Sequence, residues 1–147
     1  MRFILFTSEP VRDSHILALE EDYLKRMRGW APLVLMTKES RERPKGPRGF
    51  LPASLREAFV VLLDEQGEKL TSTAFSGLLD QSMRLGGRDT VFCIGPAQGW
   101  QPAERNEADR ILSLSPMTFP HQLVRLLLIE QLYRGLSLQR GHPYHKN

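Results

Sequence analysis

Three features of this 147-residue chain predict an α/β fold with a mostly parallel sheet and helices on both faces. Short apolar runs alternate along the chain with amphipathic stretches at helical spacing. The runs are apolar at consecutive positions, as expected of strands buried on both faces of a sheet. Gly, Pro and cap residues fall between the two kinds of segment rather than inside them.

The elements follow in order. Residues 2–7, rich in Phe, Ile and Leu, form the first strand, and Pro10 breaks it. Asp13 is a suitable N-cap for a helix in which Ile16, Leu19, Tyr23 and Met27 repeat on one face, while Glu20, Glu21, Asp22, Lys25 and Arg26 face outward. Gly29 closes this helix. Residues 33–36 form the second strand, and 38–49, with two Pro and two Gly among alternating charges, form an exposed loop. Residues 59–63 form the third strand, ending at Asp64 and a turn that contains Gly67. Thr71, Ser72 and Thr73 offer caps for a helix carrying Phe75, Leu78, Leu79 and Met83, terminated by Gly86 and Gly87. Residues 90–94 form the fourth strand, Pro102 opens a short helix through Asp109, and 111–114 form the fifth strand. Residues 120–135 form the strongest helix of the sequence. No repeat is present, so residues 1–147 are expected to form one domain.

Composition narrows the function. With 41% hydrophobic residues the chain can bury a core, but no apolar run approaches the roughly 20 residues that cross a bilayer. Residues 3–6 are too short for a signal-peptide core, so a cytoplasmic location is expected, away from membranes. The lone Cys93 lies within an apolar run and reads as core; it excludes an internal disulfide or a zinc ribbon. Net charge is +3 but uneven. Residues 24–49 carry eight Lys or Arg against Glu39 and Glu42, for +6, and residues 119–147 carry four against Glu130, for +3. Two basic concentrations suit a polyanionic partner, though solvated basic loops are common in any protein.

In parallel α/β sheets, ligands bind beyond the carboxyl ends of the strands. That rule selects the loops after Leu63, at 95–99 and at 115–119. Gly95 and Gly99 could let backbone approach a nucleotide-like ligand closely, yet the loop has neither a dinucleotide fingerprint nor a P-loop spacing, and Pro96 removes a donor. As a bare pattern, an ordinary strand-to-helix turn explains it better. The helix after Pro120 is apolar on nearly all sides and needs cover beyond its own sheet, which suggests a homodimer. Arg125, inside that apolar run, needs a partner. His142 and His145 lack the carboxylates or thiols of a metal site, and His15 and His121 stand alone; no metal is expected. The tail around Tyr144 places an aromatic ring among cations, which could be a frayed terminus or a platform for an RNA base.

Several stretches together carry a resemblance. Phe92-Cys93-Ile94 followed by Gly95 to Gly99, then Leu112-Ser113-Leu114-Ser115-Pro116-Met117-Thr118-Phe119-Pro120-His121-Gln122-Leu123-Val124-Arg125, then Glu130-Gln131-Leu132-Tyr133-Arg134, and finally His142-Pro143-Tyr144-His145-Lys146 resemble the RlmH family. Its members are SPOUT enzymes that N3-methylate a pseudouridine in 23S ribosomal RNA. The resemblance runs from about Val60 to the C-terminus and includes Leu63, Asp64 and Gly67. It implies a deep trefoil knot within about 60–147, a homodimer, and S-adenosyl-L-methionine as cofactor. By matched position, it implies that Leu63, Gly95, Leu114, Ser115, Pro116, Met117, Thr118 and Phe119 cradle the cofactor. His145, Tyr144 and Arg125 would serve catalysis, and Arg134, Arg140, His142 and Lys146 would contact ribosomal RNA, within the assembled ribosome. The family usually has two adjacent glycines where this chain has Gly95 and Pro96. Residues 8–49 share only the strand and helix pattern, with the basic loop shortened. A SPOUT enzyme for another RNA nucleotide, or a non-catalytic ribosome-binding module, remain the alternatives.

Overall fold

The computed structural model describes residues 1–39 and 46–145. Five strands form one wholly parallel sheet in the order β2-β1-β4-β3-β5: β1 (Phe3–Thr7), β2 (Leu33–Thr37), β3 (Phe59–Lys69), β4 (Thr90–Ile94) and β5 (Arg110–Ser113). Alternate residues of each strand face opposite sides, and each side has its own core. On one, Phe3, Leu5, Val61, Leu63, Phe92 and Ile94 pack under helices α1 (Ser14–Met27), α2 (Ser72–Met83) and α4 (His121–Gln139). On the other, Ile4, Phe6, Val60, Leu62, Val91 and Cys93 are covered by a 3-10 turn (Ala53–Leu55), its flanks, and residues on either side of the short helix α3 (Pro102–Asn106). Helices thus lie on both faces, with the three long ones together. Cys93 is fully buried and its thiol pKa is pushed far up by burial, as a core residue requires.

The predicted caps close the helices. Asp13 accepts from the His15 and Ile16 N–H groups, Thr71 accepts from Ala74, and Gly29 has φ 89° beyond α1. Four expectations change, each for a visible reason. In α1 it is Glu20 that is buried, at 2% exposure, while Leu19 stands 51% exposed. The helix is turned so that Glu20 meets Arg125, whose guanidinium inside the core demands a carboxylate. Strand β3 does not end at Asp64 but resumes at Glu68: both Leu63 and Glu68 pair with Leu112, and 64–67 bulge out between them. Gly67 is required there, because a Cβ would sit 2.7 Å from the Ile111 carbonyl carbon. Helix α3 stops at Asn106, because Asp109 is turned toward β3: its carboxylate accepts from the Val60 N–H at 2.8 Å and from Arg48 at 3.1 Å. Helix α4 runs through Gly135 to Gln139, since that glycine admits Leu79 of α2 rather than ending a helix: its Cβ would meet Leu79 Cδ1 at 2.8 Å.

Helix α4 lies over the sheet between α1 and α2, so Leu128, Ile129, Leu132, Tyr133 and Leu136 are buried within one chain. Leu123 and Leu127, one turn apart, remain about 40% exposed. Of the 38–49 loop, 40–45 lie outside the described residues. Arg48 turns inward instead of facing solvent: it donates to the carbonyls of Arg56, Ala58 and Glu107 and pairs with Asp109. One of the eight cations counted there is therefore a structural clamp.

Candidate active site

Beyond the carboxyl ends of β3, β4 and β5 lies a cavity of about 700 Å³. All five strands run the same way, so their carboxyl ends, where the backbone must turn into loops, gather on one edge. Three loops build the cavity: the β3 bulge at 64–66, the turn at 95–100, and residues 114–120 leading into α4. It therefore brings together Leu63, Gly95, Leu114, Ser115, Met117, Thr118 and Phe119. Pro116 is exposed and does not line it; it shapes the turn in which the Met117 N–H donates to Ser115 Oγ at 3.0 Å.

Trp100 organises the middle loop, and sequence reasoning missed it. Its indole N–H donates to the Leu63 carbonyl at 3.0 Å, and its ring lies against Gly95, where a Cβ would be 2.7 Å from Cε2. Gly95 is glycine because the indole closes over it, so the residue's smallness serves the wall of the cavity. The Gly99 N–H donates to the Pro96 carbonyl at 2.9 Å, closing a tight turn with Gly99 at φ 81°. Across the mouth, Arg105 pairs with Asp64, tying α3 to the bulge. The glycine and proline of this loop were visible signals of a turn; the indole five residues on carried none.

The mouth is part apolar and part polar. Met117 is 71% exposed, a large apolar side chain held in solvent at the entrance. Helix α4 begins at the cavity with Pro120 as N-cap and no side-chain cap, so free N–H groups and the positive dipole end border it. His121 lines it too; Nε2 is buried, 3.4 Å from Glu9 and without a hydrogen bond.

The structure places the other sequence-predicted residues elsewhere. Arg125 is 5% exposed and makes a bidentate pair with Glu20, Nε to Oε2 at 2.8 Å and Nη2 to Oε1 at 2.6 Å. Its guanidinium is committed to pinning α1 against α4, so the catalytic expectation for Arg125 is corrected to a structural one. Tyr144, His142 and Arg140 gather at the far end of α4. The Tyr144 hydroxyl donates to Glu130 at 3.0 Å and lies 3.4 Å from the Tyr23 hydroxyl. Burial, then the bonds to Tyr23 and Glu130, push the phenol pKa up, so Tyr144 stays protonated at neutral pH. Arg134 also bonds Glu130, which raises its pKa, and it lies 3.2 Å from His145 Nδ1. A guanidinium cannot accept, so in this contact Nδ1 is the acceptor. His142 accepts the Tyr144 N–H at 3.2 Å, and Arg140 donates to the Trp30 carbonyl at 3.0 Å. Lys146 lies outside the described residues.

Cavity and tail are thus apart within one chain. Val124 is the last α4 residue to line the cavity, and the tail meets the helix at 130–134, roughly 9–15 Å further along at 1.5 Å per residue. Among the described residues no group of three or more His, Cys, Asp or Glu could hold a metal, and no helix is long and apolar enough to cross a membrane.

Comparison with known proteins gives consistent findings. A family model described as "Predicted SPOUT methyltransferase" matches residues 1–145. A ribosomal RNA large subunit methyltransferase H of Nitrosospira multiformis is 38% identical, with 99% of both chains covered. The protein of the same name from Solibacter usitatus is 40% identical over 97% of this chain and 96% of its own. Similarity therefore extends through the N-terminal half, beyond the stretch from Val60 to the C-terminus. A much weaker likeness, TM-score 0.43 at 16% identity over 96% of this chain and 99% of the other, is to Archaeoglobus fulgidus Nep1 bound to S-adenosylhomocysteine, too low to carry an argument.

Proposed function

The chain belongs to the SPOUT methyltransferases, with the ribosomal RNA large subunit methyltransferases H as its relatives, and on that premise we propose that it transfers a methyl group from S-adenosylmethionine to N3 of a pseudouridine in 23S ribosomal RNA. The observation that carries the reading is the cavity: the loop 114–119, the Leu63 strand end and the Gly95 turn, three separate segments, converge on one space of about 700 Å³. That volume lies within the range of cofactor pockets, and its lining suits a ligand with an apolar base and a zwitterionic end. Leu114, Met117, Phe119 and Val124 offer apolar surface, and the strand-end loops and the α4 N-terminus offer backbone donors and acceptors. The donor set therefore fits the cofactor. Knotting of about 60–147, a single domain over 1–147 and a cytoplasmic location are parts of the same reading.

When bound, S-adenosylmethionine supplies an electrophilic methyl group on a sulfonium. The chain's own contribution is positioning and the exclusion of water. Trp100 fixes the Leu63 carbonyl and the Gly95 turn relative to each other, which keeps the cavity wall in place. Met117 and Phe119 put apolar surface at the mouth, which disfavours water beside a bound cofactor. The acceptor N3 is an imide N–H and must lose its proton before it attacks. His145 is the candidate base once Arg134 releases its Nδ1, and Tyr144, a phenol whose proton is held by Glu130, contributes its ring. In this reading Arg134, Arg140, His142 and Lys146 contact the RNA.

Because tail and cavity are apart in one chain, the reading requires two copies, the tail of one serving the cavity of the other. The exposed pair Leu123 and Leu127 on α4 supports such a homodimer, since apolar residues one turn apart form a stripe that a second copy can cover. The test is to incubate the protein and labelled S-adenosylmethionine with ribosomes lacking the modification, then map the labelled nucleotide. Label at N3 of a single pseudouridine of 23S RNA is expected; label at another nucleotide, or none with cofactor bound, contradicts it.

A further inference from the structure

The basic residues at the end of α1 are not used by the cavity, and the structure shows what they surround. Trp30 stacks on Tyr133 with centroids 5.2 Å apart and an interplanar angle of 13°, and His142 meets its edge at 5.3 Å. Tyr144 packs on Tyr133 at 4.4 Å. Three guanidiniums lie over these rings: Arg26 at 6.0 Å from Tyr133, Arg134 at 4.9 Å from Tyr144, and Arg140 at 5.2 Å from Trp30. Beside Trp30 opens a hollow of about 490 Å³, lined by Leu24, Met27, Arg28, Trp30 and Leu33, with Glu21 at one side.

Charge distinguishes this hollow. Arg26 is paired with Asp22 and Arg134 with Glu130. Among the described residues no carboxylate pairs with Lys25, Arg28 or Arg140, all three of which are exposed. Arg28 lines the hollow, and Lys25 and Arg140 stand on the surface beside it; the Trp30 ring is itself packed on Tyr133 and under Arg140, so the surface offers phosphate contacts at the rim of an apolar hollow, and phosphate contacts are what position RNA.

We infer that the C-terminal end of α1 extends the RNA contacts of the tail, taking a further stretch of the ribosomal RNA with Lys25 and Arg28 on its phosphates, next to Arg140. The inference rests on the RNA methyltransferase reading. The site lies away from the chain's own cavity: Arg140 is 16 residues beyond Val124 on α4, roughly 24 Å. It anchors the substrate; it does no chemistry.

The test compares the native protein with the Lys25→Gln/Arg28→Gln variant and a Lys25→Arg/Arg28→Lys control, neither residue touching the cavity. In the neutral variant the KM for unmodified ribosomes should rise about tenfold, and the salt dependence of that KM should become shallower by about one to two log units per log unit of salt. Cofactor affinity and oligomer mass should be those of the native protein, and the swapped control should restore KM. An unchanged KM and salt dependence would overturn the inference, as would a change in oligomer mass, which would make the patch a subunit contact. If the native protein methylates no ribosome, it is the enzymatic reading that fails instead.

Discussion

The two ends of α4 differ in how they are made. At its N-terminus the cavity is assembled from backbone turns at strand ends, held by a few specific contacts such as Trp100 on Leu63 and Arg105 on Asp64. At its C-terminus the tail is assembled from side chains, in a stack of Trp30, Tyr133, His142 and Tyr144 laced with arginines. A cofactor common to many enzymes can be held by backbone, whose donors and acceptors do not depend on side-chain identity. A particular RNA needs rings and cations, whose placement depends on every neighbour. Between the two ends, Arg125 and Glu20 fix α4 against α1 and belong to neither.

Substitutions should separate these three regions. The largest effect is expected in the middle: Arg125→Ala leaves the Glu20 carboxylate buried without its partner and should cost about 3–5 kcal/mol, read as a fall in thermal midpoint. A variant of native stability with lost methyl transfer would return Arg125 to the chemistry. Next is the tail, where His145→Ala should lower single-turnover methyl transfer about 10²-fold or more while cofactor affinity holds. Should the cofactor affinity fall instead, cavity and tail would not be separate. The smallest effect is in the cavity wall. Gly95→Ala forces the Trp100 ring away and weakens its bond to the Leu63 carbonyl; cofactor affinity should fall about tenfold, roughly 1.4 kcal/mol, with little change in thermal midpoint. Titration calorimetry with S-adenosylmethionine measures this directly.

What could be read in advance follows the same division. Strand and helix order, the caps Asp13 and Thr71, and the edge of the sheet where a cavity forms all depend on local pattern, and were legible. Glu20 was misplaced because helical periodicity ranks a glutamate as outward; only the distant Arg125, 105 residues on, makes it inward. The expected helix stops at Gly135, four residues short, because a glycine's local meaning and its packing meaning are indistinguishable without Leu79 beside it. The bulge at 64–67 was taken for a turn, since its return to β5 is a pairing between distant residues. Trp100 gave no signal at all: a single aromatic after a turn is ordinary until its N–H is seen on the Leu63 carbonyl. The tail's residue types were visible, but their folding back onto α1 and α4, away from the cavity of their own chain, was not.

That separation is the central claim, and mixing two inactive variants tests it most directly. Thr118→Trp, at an exposed position of the cavity wall, should block the cofactor; His145→Ala removes the base. Each alone should be inactive. Mixed and allowed to exchange subunits, half the dimers carry one of each chain, and in each of those one of the two sites joins an intact cavity to an intact tail. About a quarter of native activity should therefore return. No recovery in a mixture shown to have exchanged would mean that cavity and tail serve the same chain, and the account of two copies would be wrong.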